Sequence, residues 1–178
     1  MIQVSYDDDL NLDPPISSHA EKIVKETFNF KNILDYDISL VFVSDEYLSD
    51  IKKKYFNVNQ YTDVIAFRLN DYGKPLVEGE VYISLSRAKE NAKIFDEPYS
   101  REVSRLIIHG CLHLIGLKDK THIEKGNMTN NEDAILKVIN WAGLFEVRQS
   151  LHAASPIRCQ HYPNQIQRKK LFPVAFVL

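Results

Sequence analysis

Short apolar runs flank a helical segment at the start of the chain. The runs IQVSY and DISLVFVS, the latter covering Asp37 to Ser44, are rich in β-branched and aromatic residues and predict two strands. Between them, Ile23, Val24 and Phe28 recur at helical spacing after a stretch of prolines and serines. The N-terminal quarter therefore predicts a strand, a helix and a second strand.

A second helix and two more strands follow. Ser44 and Asp45 can cap the helix DEYLSDIKKKYF, whose apolar residues share one face while its lysines face solvent. TDVIAFRLN and VEGEVYISLS predict a third and a fourth strand joined by the turn NDYGKP, and a short helix begins near Ser86. This order predicts an α+β fold in which helices pack on a mixed four-stranded sheet.

The pattern becomes helical from Tyr99. Apolar residues then recur three or four positions apart, and Gly116 is a plausible terminator; they are Val103, Leu106, Ile107, Cys111, Leu114 and Ile115. The segment LKDKTHIEKGN predicts a loop, and NNEDAILKVINWAG predicts a last helix that ends at Gly143. Because Cys111 belongs to the apolar periodicity, we expect it in the core.

Composition narrows the class of protein. The chain has 178 residues, 44% hydrophobic and 26% charged, which is typical of one compact domain. Its net charge of -2 predicts no overall attraction to polyanions such as nucleic acids, so any such binding would depend on local positive patches. Cys111 and Cys159 lie in very different contexts and indicate no disulfide framework. With no leader pattern and no apolar stretch long enough for a bilayer, we expect a cytoplasmic protein without membrane contact.

The C-terminal segment differs from the rest of the chain. Residues 150–178 contain no Asp or Glu, three prolines, a basic group and the apolar end LFPVAFVL. We therefore predict a domain over residues 1–149, followed by an extension over 150–178 that takes no part in the chemistry.

Two histidines carry the candidate chemistry. His109 and His113 are four positions apart, so on a helix both can direct a ring nitrogen at one cation, although they could equally be helix residues with local hydrogen bonds. After Gly116 a polar segment can return toward the pair and leave one coordination position open for water. Asp119 is the first carboxylate that this segment offers, and His122 and Glu124 compete with it.

Three arginines are candidates for phosphate contact. Arg105 lies one helical turn before His109 and could steady a phosphate, or it could be a solvated surface residue. Arg68 and Arg101 could extend a phosphate-binding groove, although a charge at a strand edge or a helix start needs no such role. The residue after His109 is glycine, so the glutamate base of H-E-x-x-H metallopeptidases is missing.

These motifs resemble one known family. HGCLHLIG followed by an acidic loop is similar to the signature H-G-x-L-H-L-x-G-Y-D-H of the YbeY family, bacterial endoribonucleases of rRNA maturation. QYTDVIAF resembles the family's P-T-D-V-L-S-F segment, EGEVYIS resembles its G-D-[IV]-x-I-[SC] strand, and Met128 and Glu132 match its M-x-x-x-E. The resemblance covers most of the chain up to about Gly143.

Three positions depart from the family pattern. The family's third histidine falls on Asp119, Phe56 stands where most members have a basic residue, and Arg105 stands where a histidine is usual. A similar K-D-K-T loop occurs in Bacteroidetes members, which indicates a subgroup variant. Because a carboxylate is an acceptable zinc ligand, we expect Asp119 to be the third metal ligand, with His122 as the alternative.

The resemblance implies a function and a site. It implies a metzincin-like site for one Zn²⁺ on a helix followed by a returning loop, with His109 and His113 as catalytic residues. We expect Arg105 to be catalytic with them because of its place one helical turn before His109. The resemblance also implies single-stranded rRNA and the small ribosomal subunit as partners, processing of the 16S rRNA 3′ end, and ribosome quality control, with no role for DNA. Thr62 and Asp63, in the family-like strand, could orient the site by hydrogen bonds or cap a turn.

A second interpretation is a ribosome-associated assembly factor with a structural metal and little or no hydrolysis. The absence of a basic residue at Phe56 favours it. The coordination sphere discriminates between the two, because three protein ligands plus water indicate an enzyme and four protein ligands indicate a closed structural site. The metal itself stays open, since such ligands also suit nickel, iron or manganese.

Overall fold

The computed structural model describes residues 1–7 and 12–145, and the backbone of residues 174–177. The predicted domain boundary at residues 149 and 150 lies outside these ranges, as does Cys159. Along the described chain, no helix is both long and apolar enough to cross a bilayer.

Strands and helices alternate through most of the chain. The strands are β1 (Ile2–Tyr6), β2 (Tyr36–Val43), β3 (Val64–Arg68), β4 (Val77–Ser84) and β5 (Val174–Val177). The helices are α1 (Ser17–Phe30), α2 (Asp45–Phe56), α3 (Leu85–Ile94), α4 (Tyr99–Leu114) and α5 (His122–Leu136), and a 3₁₀ turn covers Trp141–Leu144.

The predicted mixed sheet is present. In the strand order β1-β2-β4-β3-β5, strands β1, β2 and β4 run parallel, and β3 is antiparallel to β4. The first four strands are those that the sequence pattern predicts, so the α+β architecture is confirmed. Strand β5 adds a fifth member at the edge of β3, with Val174 opposite Arg68 and Val177 opposite Ile65. The C-terminal extension thus contacts the domain through backbone pairing, which the sequence pattern did not predict.

Helix α5 corrects two predicted boundaries. The segment predicted as a loop becomes helical at His122, because Thr121 and Glu124 form a capping box: the Thr121 hydroxyl accepts from the Glu124 amide at 3.2 Å, and the Glu124 carboxylate accepts from the Thr121 amide at 2.9 Å. The helix ends at Leu136 and does not continue to Gly143. Ile139 and Trp141 still pack on the core, which explains why the hydrophobic pattern predicted one longer helix.

Helix α4 lies unusually close to strand β4. A Cβ on Gly110 would lie 2.4 Å from Cγ1 of Val81, and a Cβ on Gly79 would lie 2.6 Å from Cδ2 of Leu114. The larger apolar cluster fills the space between α1, α4 and the sheet, and a smaller cluster lies between α2 and the opposite face. Since two glycines allow this approach, the rotation of α4 about its axis is fixed, and with it the direction of its histidines.

We predict that Gly110→Ala destabilises the fold. The new methyl group would overlap Val81, and overpacking of this kind costs about 1–3 kcal/mol, more than the gain in helix propensity. The matched control is Gly126→Ala, at an exposed position of α5 with no atom within 4 Å of the new Cβ, which we expect to stabilise the protein by up to about 1 kcal/mol. Urea unfolding of both variants measures the difference, and equal stability would contradict this account of the packing.

Candidate metal centre

The C-terminal half of α4 brings two histidines together. The rings of His109 and His113 are 4.4 Å apart between centroids and 81° apart in plane, and both residues are 2% exposed. Gly116 then adopts φ +96°, a conformation that suits glycine, and the chain turns back so that Asp119 faces the pair. One ligand atom from each of His109, His113 and Asp119 lies within 4.8 Å of the other two.

Hydrogen bonds orient both rings. His109 Nδ1 lies 2.5 Å from Oε1 of Glu132, and His113 Nδ1 lies 2.7 Å from the carbonyl oxygen of Leu117. A carbonyl and an ionised carboxylate only accept, so each Nδ1 carries the proton and each Nε2 has a lone pair. This is the arrangement that fixes the tautomer of metal-ligating histidines in proteins.

The protonation states suit a cation between the rings. Burial, together with the nearby His109, lowers the pKa of His113 to about 4, so His113 is neutral at neutral pH. Burial by itself would raise the pKa of Glu132, but the hydrogen bond from His109 and the positive charge of Arg105 outweigh it and lower that pKa. Glu132 is therefore the ionised acceptor that the His109 tautomer requires.

The residues fit a metal ion. His109 Nε2 is buried and has no hydrogen-bond partner among the described residues, a costly state for a polar atom that a metal would relieve. His113 Nε2 lies 3.9 Å from Oδ1 of Asp119, too far for a hydrogen bond. Two ligands each about 2.1 Å from a tetrahedral zinc lie about 3.4 Å apart, so a small side-chain movement would close the set around an ion.

Arg105 is held between two buried glutamates. Its Nε and Nη2 each donate to the Glu102 carboxylate at 2.8 Å, and Nη1 lies 3.5 Å from Oε2 of Glu132. Burial would lower the pKa of Arg105, but Glu102 and Glu132 raise it, so the guanidinium stays charged. Arg105 thereby positions Glu132, and through it His109. The side chain is 24% exposed, so Arg105 is neither fully buried nor a free surface residue.

The competing ligands lie outside the group that could hold a metal ion. His122 is exposed at the first position of α5, and Glu124 is engaged in the capping box with Thr121. Neither belongs to the group formed by His109, His113 and Asp119. The geometry therefore supports Asp119 over His122 as the third ligand.

The other two predicted arginines have structural contacts. Arg68 is 3% exposed and donates to the carbonyl oxygens of Leu114 at 2.7 Å and Leu76 at 3.0 Å, so it ties the end of β3 to the end of α4. Arg101 pairs with Glu97 at 2.8 Å and lies 3.7 Å from Asp133. These contacts give no support to phosphate binding by Arg68 or Arg101, and that role stays an untested prediction.

The other residues singled out in the sequence, Thr62, Asp63, Phe56 and Cys111, have structural contacts or core positions. Thr62 is 6% exposed and donates to the Val64 carbonyl at 3.4 Å, and Asp63 accepts from the Asn91 side chain at 2.9 Å, which joins the start of β3 to α3. Phe56 stacks on Phe67 with the ring centroids 6.2 Å apart. Cys111 is fully buried, and burial raises the pKa of its thiol, which confirms the expected core position.

The sequence interpretation gave no role to Glu102 or to Glu132. Both are buried glutamates, 3% and 5% exposed, on faces otherwise occupied by apolar residues. In α5, Glu132 shares its buried face with Met128, Ile135 and Leu136. A carboxylate on an apolar helix face is a signal for a buried charged partner, and it could have been recognised from the sequence.

Comparison with known proteins relates the chain to one family. A family model described as Endoribonuclease YbeY matches residues 3–140. Endoribonuclease YbeY of Parabacteroides distasonis is 36% identical over 138 residues, which cover 75% of this chain and 93% of that protein. Endoribonuclease YbeY of Flavobacterium psychrophilum is 38% identical over 121 residues, covering 67% and 80%. The solution structure of TM1509 from Thermotoga maritima shares the fold, with a TM-score of 0.52 and 24% identity, covering 77% of this chain and 87% of that one.

We predict that Asp119→Ala loses metal and that His122→Ala keeps it. Asp119 faces the histidine pair, whereas His122 is exposed at a helix start. Loss of a ligand should weaken zinc affinity by more than the roughly 10–100-fold typical of losing an outer partner. Metal titration with elemental analysis of both variants and of His113→Ala measures this. Retained metal in Asp119→Ala together with loss in His122→Ala would overturn the ligand assignment.

We expect Glu132→Gln to weaken metal binding about 10–100-fold without unfolding the protein. The amide keeps the size of the side chain but removes the charge that stabilises the proton on His109 Nδ1 and that faces Arg105. Asp133→Asn, at the exposed neighbouring position, is the matched control and should bind metal as the wild type does. Equal affinities for the two variants would show that Glu132 does not act on the site.

Proposed function

This chain belongs to the YbeY family, as its motifs predicted, and from that premise we propose that it is a zinc-dependent endoribonuclease that cleaves single-stranded RNA. We place its action in maturation of the small-subunit 16S rRNA, at the 3′ end, and in ribosome quality control in the cytoplasm. The observation that carries the proposal is the convergence of His109, His113 and Asp119 on one point beside a protein-positioned arginine.

The donor set supports hydrolytic chemistry. His109 and His113 would hold the ion through Nε2, and Asp119 would hold it through a carboxylate oxygen. When bound, zinc with an open coordination position supplies a Lewis acid and an activated water, which suffices for phosphodiester hydrolysis. Glu132 and the Leu117 carbonyl keep the two rings in the required tautomer throughout.

Arg105 is the residue of this chain best placed to meet the phosphate. Three described contacts join it to Glu102 and Glu132, whereas a guanidinium has five N–H donors. Because the side chain is partly exposed and keeps its charge, Arg105 can hold Glu132 on one side and donate to a phosphate oxygen on the other.

The number of protein ligands favours an enzyme over a structural metal site. In the part of the chain that the structure describes, the group that could hold a metal contains three residues, and a closed structural zinc site needs four. Gly110 follows His109 where a metallopeptidase of the H-E-x-x-H type has its glutamate base, which argues against peptide hydrolysis by that route.

We expect the zinc-loaded protein to cleave an unpaired RNA and to leave the same sequence intact in a duplex. Chelation should abolish cleavage, and added zinc should restore it. His113→Ala should be inactive because it loses a ligand, whereas His122→Ala should retain activity within about 3-fold as a surface substitution. Gel analysis of end-labelled RNA measures all five comparisons. A protein that holds one zinc and cleaves none of these RNAs would support the assembly factor instead.

A further inference from the structure

Tyr72 is an exposed ring held against the end of α4, the helix that carries both histidines. It lies in the turn between β3 and β4, and its hydroxyl donates to the carbonyl oxygen of His113 at 3.4 Å. The guanidinium carbon of Arg68 lies 5.2 Å from the ring centroid, within cation–π range. Two ring atoms would lie 3.4 Å from a Cβ on Gly116, so the ring also rests on the turn that leads to Asp119.

This ring stays open to solvent although three contacts hold it. Tyr72 is 40% exposed, whereas Tyr82, on the neighbouring strand β4, is 6% exposed and packs in the core. A single exposed aromatic residue is ordinary on a protein surface. Tyr72 differs because its contacts are made with the backbone of His113 and with the turn that leads to Asp119, so its position is set by the end of the helix that carries both histidines.

Exposed lysines lie in the turn that carries Tyr72 and in the turn that carries Asp119. Lys118 and Lys120 are exposed on either side of Asp119, and Lys74 is exposed two residues after Tyr72. The opposing carboxylates are Asp71 in the turn of Tyr72 and Glu124, which interacts with Lys118. If Asp119 is taken up by a metal ion, the exposed charge here is mostly cationic. A fixed aromatic face with lysines beside it is the combination by which proteins bind unpaired nucleotides: stacking on the base and attraction of the phosphates.

We propose that Tyr72 is the stacking platform for the base next to the scissile phosphate. The proposal rests on the proposed function and gives it a specificity determinant. A base inside a duplex is already stacked on both faces and cannot reach the ring, so Tyr72 selects RNA that is unpaired at the cleavage position. The hydrogen bond from the Tyr72 hydroxyl to the His113 carbonyl and the cation–π contact with Arg68 hold the ring in one orientation. The Tyr72 side chain therefore loses little conformational entropy when a base stacks on it.

Binding of a single-stranded oligoribonucleotide to the zinc-loaded protein tests the proposal. Stacking on one base is worth about 5- to 150-fold in affinity, so Tyr72→Leu should weaken binding and raise KM by that factor, while Tyr72→Phe should stay within about 3-fold of wild type. Phe95→Leu, at a 66% exposed aromatic residue after α3, is the matched control and should bind normally. Zinc stoichiometry should be unchanged in all three variants, and all three should remain folded at the assay temperature.

Substrates with one base removed locate the contact. An abasic site beside the cleaved bond should weaken binding to wild type and to Tyr72→Phe, but should have little further effect on Tyr72→Leu, because the partner of that base is already gone. Equal sensitivity of Tyr72→Leu and wild type to every abasic position would overturn the proposal. So would loss of zinc in Tyr72→Leu, or a loss in Tyr72→Phe as large as that in Tyr72→Leu, since either result assigns Tyr72 a structural role.

The binding measurement separates this proposal from the proposed function. Abasic-site sensitivity that depends on Tyr72, in a wild type that cleaves no RNA, would uphold the platform and refute the nuclease. Normal cleavage by Tyr72→Leu with unchanged KM would uphold the nuclease and refute the platform.

Discussion

The buried contact between His109 and Glu132 is the interaction on which the site depends. An ionised carboxylate that is 5% exposed needs compensating charge and hydrogen bonds, and His109 and Arg105 supply both. That contact joins α5 to α4, fixes the proton on Nδ1 of His109 and directs its Nε2 at the point that His113 and Asp119 also face. Stability and ligand orientation therefore depend on the same charged cluster, and a change in Glu132 affects both.

The sheet provides the rigid support for this cluster. Gly110 and Gly79 let α4 approach β4 until side chains interlock, and Arg68 ties the last turn of α4 to the end of β3 through the Leu114 carbonyl. The carbonyls at a helix end need partners, and here the partner is a buried guanidinium from the strand next to β4. This contact fixes the C-terminal end of α4, from which the turn that carries Asp119 begins.

The departures from the family signature make chemical sense together. Asp119, where the family has its third histidine, would bring a negative charge to a bound metal ion, and Arg105, where a histidine is usual, brings a positive charge one helical turn before His109. Arg105 also neutralises Glu102 and Glu132, which no neutral imidazole could do. Phe56, where a basic residue is usual, packs on Phe67, so in this chain that position serves the apolar cluster under α2.

The sequence by itself determined the helix with its paired histidines, the four main strands and Asp119 as the first carboxylate of the turn, because each depends on residues a few positions apart. Only the tertiary structure decided that Glu132 orients His109, that Arg68 caps α4 and that residues 174–177 pair with β3. Those contacts join segments 23 to 112 residues apart, as with Glu132 and His109 or Val177 and Ile65. No local periodicity specifies such pairs, since they form only when packing brings the elements together.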